Sequence, residues 1–486
     1  MLEDRLYRAD PDDVSPPNRQ SDFLCTASGW LVVVALVFAP LALGSTPPAA
    51  ILVMETTLGL AILFWAGSII GARQLPSVRP VVLVSGLALL AMGWFMAWNA
   101  SGAWSPAQGM IVSRWPPVPS LPGSEEQAVS IITMTRITIL FATLLLVSDL
   151  AALLVWRERF LLAICCSGTA VALIGLAQLL GMPPLLRSML NPREGAYFST
   201  FNYHGNAGAY LNLALAPLCS LAILRFARRS KAATKAAALG MLLAVLAAAF
   251  ANTSRGAQAI SAVIVLAMAI WGVVYLRTRR SSYAKPRFAA GVSVIALLGL
   301  GIVAASVSLH SAKWRQLPLH LSEQSSRQNV WKVAIPMARA AGPLGHGPGT
   351  FKMLLPRSPL VTNALTSVWI IQDHIPGGQV SMWSMAHQDY LQTYFEYGLL
   401  GSLAFAIILF GGIGLAVVRA VNATLEHSEP WEAMWAGIGC ALLGIAANAL
   451  FDFPLQVASL QLTTAVLLGI CWATGLPDRE IPSKSA

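Results

Sequence analysis

Twelve apolar segments, each near the ~20 residues a helix needs to cross hydrocarbon, constrain this chain more than any other feature of it. They fall at about 28–44, 49–71, 80–99, 129–155, 160–181, 204–224, 236–252, 257–276, 288–309, 395–418, 431–450 and 455–474. Only 11% of the 486 residues are charged and 56% are hydrophobic, against about a quarter charged in a soluble domain. The expected fold class is therefore an all-α polytopic membrane protein of about twelve transmembrane helices. The first and seventh segments are short, so the parity of the count rests on charge more than on hydropathy.

Lysine and arginine alternate from loop to loop. Arg73 and Arg79, Arg157 and Arg159, the cluster from Arg225 to Lys235 and the cluster from Arg277 to Arg287 occupy alternate connections, which places them and both termini in the cytoplasm. The formal net charge of +10 then reflects topology and attraction to anionic lipid rather than nucleic-acid binding. Residues 1–27 lack the basic start and cleavage site of a signal peptide and read as a cytoplasmic tail. The expected organisation is that tail, helices one to nine over 28–309, an extracytoplasmic loop over 310–390, helices ten to twelve over 391–474, and a cytoplasmic tail over 475–486. All six cysteines lie in or beside apolar segments, so no disulfide or zinc framework is implied.

The large loop is where chemistry is expected, because about eighty residues without a spanning segment exceed the usual length of a connection. Ser325 followed by Gln328 has the spacing of a capping box, which predicts a helix whose buried face carries Arg327, Trp331, Ala334, Ile335 and Ala338. Pro336 should kink it. The turn Gly342-Pro343-Leu344-Gly345-His346-Gly347-Pro348-Gly349 ends it, and without a Gly-Lys-Ser/Thr ending this is no phosphate-binding P-loop. On the same outer side lie polar stretches at about 100–127 and 182–203 and the tight turn Asn252-Thr253-Ser254-Arg255-Gly256. Arg255 runs against the positive-inside pattern and is expected to face a polar cavity between helices, where ionisable groups usually mark function. Read alone, His387 is a loop histidine of no special role and His204 a helix cap.

Taken together, five strings resemble the O-antigen ligase and polymerase superfamily of bacterial membrane glycosyltransferases. They are Phe198-Ser199-Thr200-Phe201-Asn202-Tyr203-His204-Gly205-Asn206-Ala207, Thr253-Ser254-Arg255-Gly256, Arg327-x-x-x-Trp331, the glycine turn through Phe351, and Ala386-His387-Gln388-Asp389-Tyr390-Leu391 with the Glu396-Tyr397-Gly398 that follows. The resemblance spans about 190–402 and implies transfer of a glycan from a polyprenyl-diphosphate carrier to an acceptor hydroxyl outside the bacterial cytoplasmic membrane, without metal or cofactor. It implies catalytic roles for His387, as the base on the acceptor, and for Arg327 and Arg255, as clamps on the diphosphate. Substrate-binding roles are implied for Trp331, Asn202, His204, Asn206 and Tyr390. The loop's charge agrees: Lys313, Arg315, Arg327, Lys332, Arg339, Lys352 and Arg357 face only Glu323, Asp373 and Asp389. Were 387–397 helical, Asp389 would lie about 200° from His387 and could not orient its imidazole, so a carboxylate partner would have to come from elsewhere.

The resemblance leaves three reactions open. Members of such a family join glycan to a lipid core, extend it on its carrier as a polymerase, or attach it to a protein side chain. A polyprenyl-glycan flippase is a reading from another class, although transporters usually show repeated halves with interrupted helices, whereas here the polar residues gather outside.

Overall fold

The computed structural model describes residues 19–73, 75–108, 110–181, 197–227, 230–278, 326–355, 370–371, 380–381, 385–425 and 430–474. The expected span at 288–309, the loop residues 310–325, 356–369, 372–379 and 382–384, residues 1–18 of the first tail and the whole of the second tail lie outside them. Eleven of the twelve segments are helices: α1 (Arg19–Leu41), α2 (Pro48–Ala72), α3 (Pro80–Trp98), α4 (Gln127–Leu150), α5 (Leu154–Leu179), α6 (His204–Ala227), α7 (Ala232–Ala251), α8 (Arg255–Thr278) and, after the loop helix α9 (Ser326–Ala340), α10 (Asp389–Leu425), α11 (Met434–Asn448) and α12 (Ala458–Trp472). Among the described residues nine are long and apolar enough to cross a membrane, while α11 and α12 are shorter. The described residues also include a one-turn helix at Phe351–Leu354, short 3-10 turns and two small antiparallel ladders, β1 (Gly102–Ser105) with β2 (Met110–Ser113) and β3 (Ile370–Ile371) with β4 (Val380–Ser381).

Helix ends meet in alternation, as a multi-pass chain requires. At one end Ser459 donates to the Gly44 carbonyl at 2.8 Å, Thr200 to Pro40 at 2.6 Å and the Asp389 amide to Ala449 at 2.9 Å. At the other, Arg419 donates to the Cys471 and Ala473 carbonyls at 3.0 and 2.8 Å, and the Ser77 amide to Asp149 at 2.6 Å. The link between α4 and α5 is shorter than the hydropathy suggested, so Arg157 and Arg159 stand in the opening turns of α5 rather than in a loop. The reason is local: Arg157 folds back onto the Ala151 and Ala152 carbonyls and supplies the donors that the end of α4 lacks.

The core is organised around α6. Fully 94% of its spanning window is buried inside the protein, against 22% for α2, and it packs on α5, α7, α8 and α11. Its sequence is rich in Ala and Gly, the small residues that let membrane helices approach closely. On α11 a Cβ at Gly437 would lie 2.7 Å from the Ala216 carbonyl, so only glycine admits that contact.

The loop helix and the glycine turn dock on a break in α10. Gly398, at φ 60° and ψ −161°, interrupts that helix and frees carbonyls that the turn takes up: the His346 amide donates to Phe395 and the Gly347 amide to Glu396, both at 2.9 Å. The Glu396 carboxylate accepts from the Gly349 amide at 2.8 Å. Helix α9 runs through Pro336 and buries Val330, Val333, Ala334 and Ala338 with Phe351 and Phe395. Its buried face is therefore rotated from the expected one. Ile335 is 39% exposed, because the stripe through Val330, Ala334 and Met337 is the one that meets Phe351 and Phe395.

Candidate functional site

His387 stands immediately before α10, not within it, with φ 49°. That left-handed conformation is uncommon outside glycine and costs about 1–2 kcal/mol, so its neighbours must hold it. They do so on both sides. The Trp331 indole donates to the Ala386 carbonyl at 2.8 Å, and the Ala386 amide donates to Gln392 at 3.1 Å. On the far side the buried Asp389 carboxylate accepts from the Leu455 amide at 2.8 Å and from Gln456 at 3.1 Å. Asp389 therefore pins the 452–456 segment against the histidine, and its carboxylate is committed to those donors rather than to the imidazole.

The carboxylate partner of His387 is Asp452, from the short link between α11 and α12, with Nδ1 and Oδ1 3.1 Å apart. Asp452 accepts two further hydrogen bonds, from the Tyr203 hydroxyl at 3.0 Å and the Phe453 amide at 3.1 Å. A carboxylate oxygen accepts, so Nδ1 of His387 is the donor in this bond. Rings fix the imidazole plane: Phe453 stacks on Tyr203 at 5.5 Å and 10° and meets His387 edge-on at 4.7 Å and 88°. Gly205 makes room for this, since a Cβ there would lie 2.6 Å from Oδ2 of Asp452 and 2.4 Å from the Tyr203 ring.

The turn that bears Arg255 is fastened to the same place. Asn252 donates to the His204 carbonyl at 2.8 Å and accepts from the Ser254 amide at 3.0 Å, while Gln258 donates to the Phe250 and Asn252 carbonyls at 2.9 and 2.6 Å. These side chains satisfy backbone groups that hydrocarbon would leave bare. Arg255, half-buried, opens α8 beside the start of α6. The His204 ring lies 4.8 Å from that of Tyr203, which connects the turn to the His387–Asp452 pair.

The remaining candidates fall in varied settings. Asn206 is buried beneath the turn, its Oδ1 without a partner among the described residues. Asn202 is exposed and donates to Thr46 at 3.3 Å. Tyr390 gives its hydroxyl to the Ala446 carbonyl at 2.8 Å and stacks on Phe410, and Trp331 spends its N–H on holding Ala386. Arg327 is placed by backbone alone, in the first turn of α9. The sequence reading missed Asp452, Tyr203 and Phe453. One signal was available: Asp452 is an acid in a short link between two apolar segments, the same oddity that drew attention to Arg255.

On the other flank of the 385–392 and 452–456 segments lies a cavity of about 250 Å³ between α3, α4, α10 and α12. Met385, Gln392, Leu455 and Gln456 line its near side, Phe141, Leu144 and Leu468 its floor, and Arg136 and Lys352 its cationic groups. Arg136 pairs with Glu55 of α2 at 2.9 Å, as ionisable groups in spanning helices usually pair.

Residues 239–406 match the family model described as O-antigen ligase. No curated protein matches the chain. The matched stretch takes in Arg255, α9, the glycine turn and His387, whereas Tyr203 and Asp452 lie outside it. The chain is a polytopic membrane protein of which residues 239–406 are similar to the O-antigen ligase family.

Proposed function

We propose that this protein transfers a glycan from a polyprenyl-diphosphate carrier to an acceptor hydroxyl at the extracytoplasmic face of a bacterial cytoplasmic membrane. The observation that carries the reading is the Asp452–His387 pair, held at 3.1 Å on a clamped loop. Nε2 of His387 accepts the proton of the acceptor hydroxyl as its oxygen attacks the anomeric carbon. The bond from that carbon to the diphosphate oxygen breaks, and the leaving diphosphate keeps the electron pair. Asp452 stabilises the imidazolium that forms. Arg255 and Arg327 supply the charge that the leaving group needs, and arginine suits this because its fork binds phosphate bidentately at any pH. The carrier's chain has a place in the apolar cavity beside Met385 and Leu455.

The test is transfer of a radiolabelled lipid-linked glycan by purified protein in detergent, with donor binding measured in parallel. Transfer is expected to survive EDTA, since arginines occupy the role a divalent ion would fill; complete loss restored by magnesium or manganese would overturn the clamp. A protein that moves the lipid-linked glycan across a liposome bilayer and joins it to nothing would replace the transferase with a flippase.

A further inference from the structure

At the end of the bundle opposite the candidate site, α5, α6 and α11 leave a notch of about 240 Å³. Arg159, Arg225 and Glu158 line it together with Leu162, Leu221 and Leu224. Arg159 lies 4.5 Å over Trp156 and 5.2 Å from Trp30, two rings that meet edge to face at 6.1 Å. This aromatic seat fixes a guanidinium through its π-face and leaves its N–H donors uncommitted. Arg157, two residues earlier, is by contrast spent on the Ala151 and Ala152 carbonyls and on the ring of Trp431 at 5.3 Å. The opening turn of α5 adds to the field, because its N-cap, Leu153, supplies no side-chain acceptor and the amides there carry the positive end of the helix dipole. Leu162 is 51% exposed on the flank of the bundle, so the notch opens sideways towards hydrocarbon as well as towards water.

We propose that this notch binds the phosphate of an anionic phospholipid, with Arg159 and Arg225 on the headgroup and an acyl chain along Leu162, Leu221 and Leu224. A pre-oriented arginine, a second one from the neighbouring helix and an apolar lateral wall are what a lipid headgroup at a membrane surface requires. A freely dissolved anion would gain nothing from the leucines. The notch lies outside the residues that match the family model and is independent of the proposed transfer reaction.

Native mass spectrometry of the full-length protein, titrated with phosphatidylglycerol, tests the assignment against three arms: phosphatidylcholine, glycerol phosphate and inorganic phosphate. The expected result is binding of phosphatidylglycerol alone, weakened on the order of 30-fold in the Arg159→Gln/Arg225→Gln double variant, about fivefold for each charge removed. Arg159→Lys, which keeps the charge and loses the fork, should fall between the two and secures the test if the double variant does not fold. Arg73→Asn, at the same end of the bundle but on the α2–α3 link, should bind as wild type. The proposal is overturned if the double variant keeps its affinity, if Arg73→Asn loses as much, or if phosphate and glycerol phosphate bind as well as the lipid.

Discussion

At the residue scale, the proposed chemistry rests on how His387 is held as much as on its being a histidine. Its backbone sits at φ 49° between the Trp331 and Gln392 contacts before it and the Asp389 contacts after it, so the position of the ring is set before any substrate arrives. His387→Ala should lower transfer by two to four orders of magnitude, the share assigned to general-base catalysis, with donor binding retained; near-normal transfer would remove the proposed base. Asp452→Ala takes away the partner that selects the tautomer and is expected to lower turnover about 10- to 100-fold. Tyr203→Phe removes one of three hydrogen bonds to the same carboxylate but leaves the carboxylate on His387, a loss of about 0.5–1.5 kcal/mol, and should cost less than Asp452→Ala. Steady-state kinetics of the three purified variants give the order, and a Tyr203→Phe enzyme as impaired as Asp452→Ala would mean that the hydroxyl does more than orient.

At the scale of elements, the site depends on a helix broken on purpose. Gly398 combines φ 60° with a Cβ position 2.2 Å from the Pro343 carbonyl, so Gly398→Ala must both strain the backbone and push the glycine turn off α10. Thermal unfolding in detergent should show a loss of about 1–3 kcal/mol. Gly414→Ala, further along α10 where nothing lies within 4 Å, should be neutral or slightly stabilising. Equal effects from both would refute the docking role of the break. Helices of this kind are legible in the sequence because hydrocarbon imposes a length and a composition on them, and a helix in the loop was legible from Ala334 and Ala338 at helical spacing, both of them buried. The break in α10 was not, since hydropathy ignores φ. Nor was the partner of His387, because Asp452 is brought to it by a contact across 65 positions of sequence, and a single sequence carries no signal of such pairing beyond an acid stranded between apolar segments. The buried face of α9 was misjudged for a related reason: the stripe that counts is set by what α10 offers to pack against.

At the scale of the whole molecule, the described features of the candidate site gather at one end of the bundle, and a second set of arginines stands at the other. The tips of α6, α8, α10 and the α11–α12 link meet around His387, while Arg73, Arg159, Arg225 and Arg419 stand at the opposite end. The positive-inside rule predicts a cytoplasmic location for that end, and on the proposed reading the site would face outward, where a lipid-linked glycan and its acceptor would meet. Orientation can be tested without knowledge of either substrate. Gln108 is exposed beside the turn between β1 and β2, at the site end, and Ser230 lies between α6 and α7 at the other. In a background without the native cysteines, a cysteine at 108 should react with an impermeant thiol reagent added to intact cells. One at 230 should react only after the membrane is opened. Because the chain alternates ends at each described helix, the two positions must respond oppositely. Labelling at 230 and not at 108 would turn the molecule over and place His387 with the cytoplasmic pool of nucleotide-activated sugars, a different donor chemistry from the one proposed.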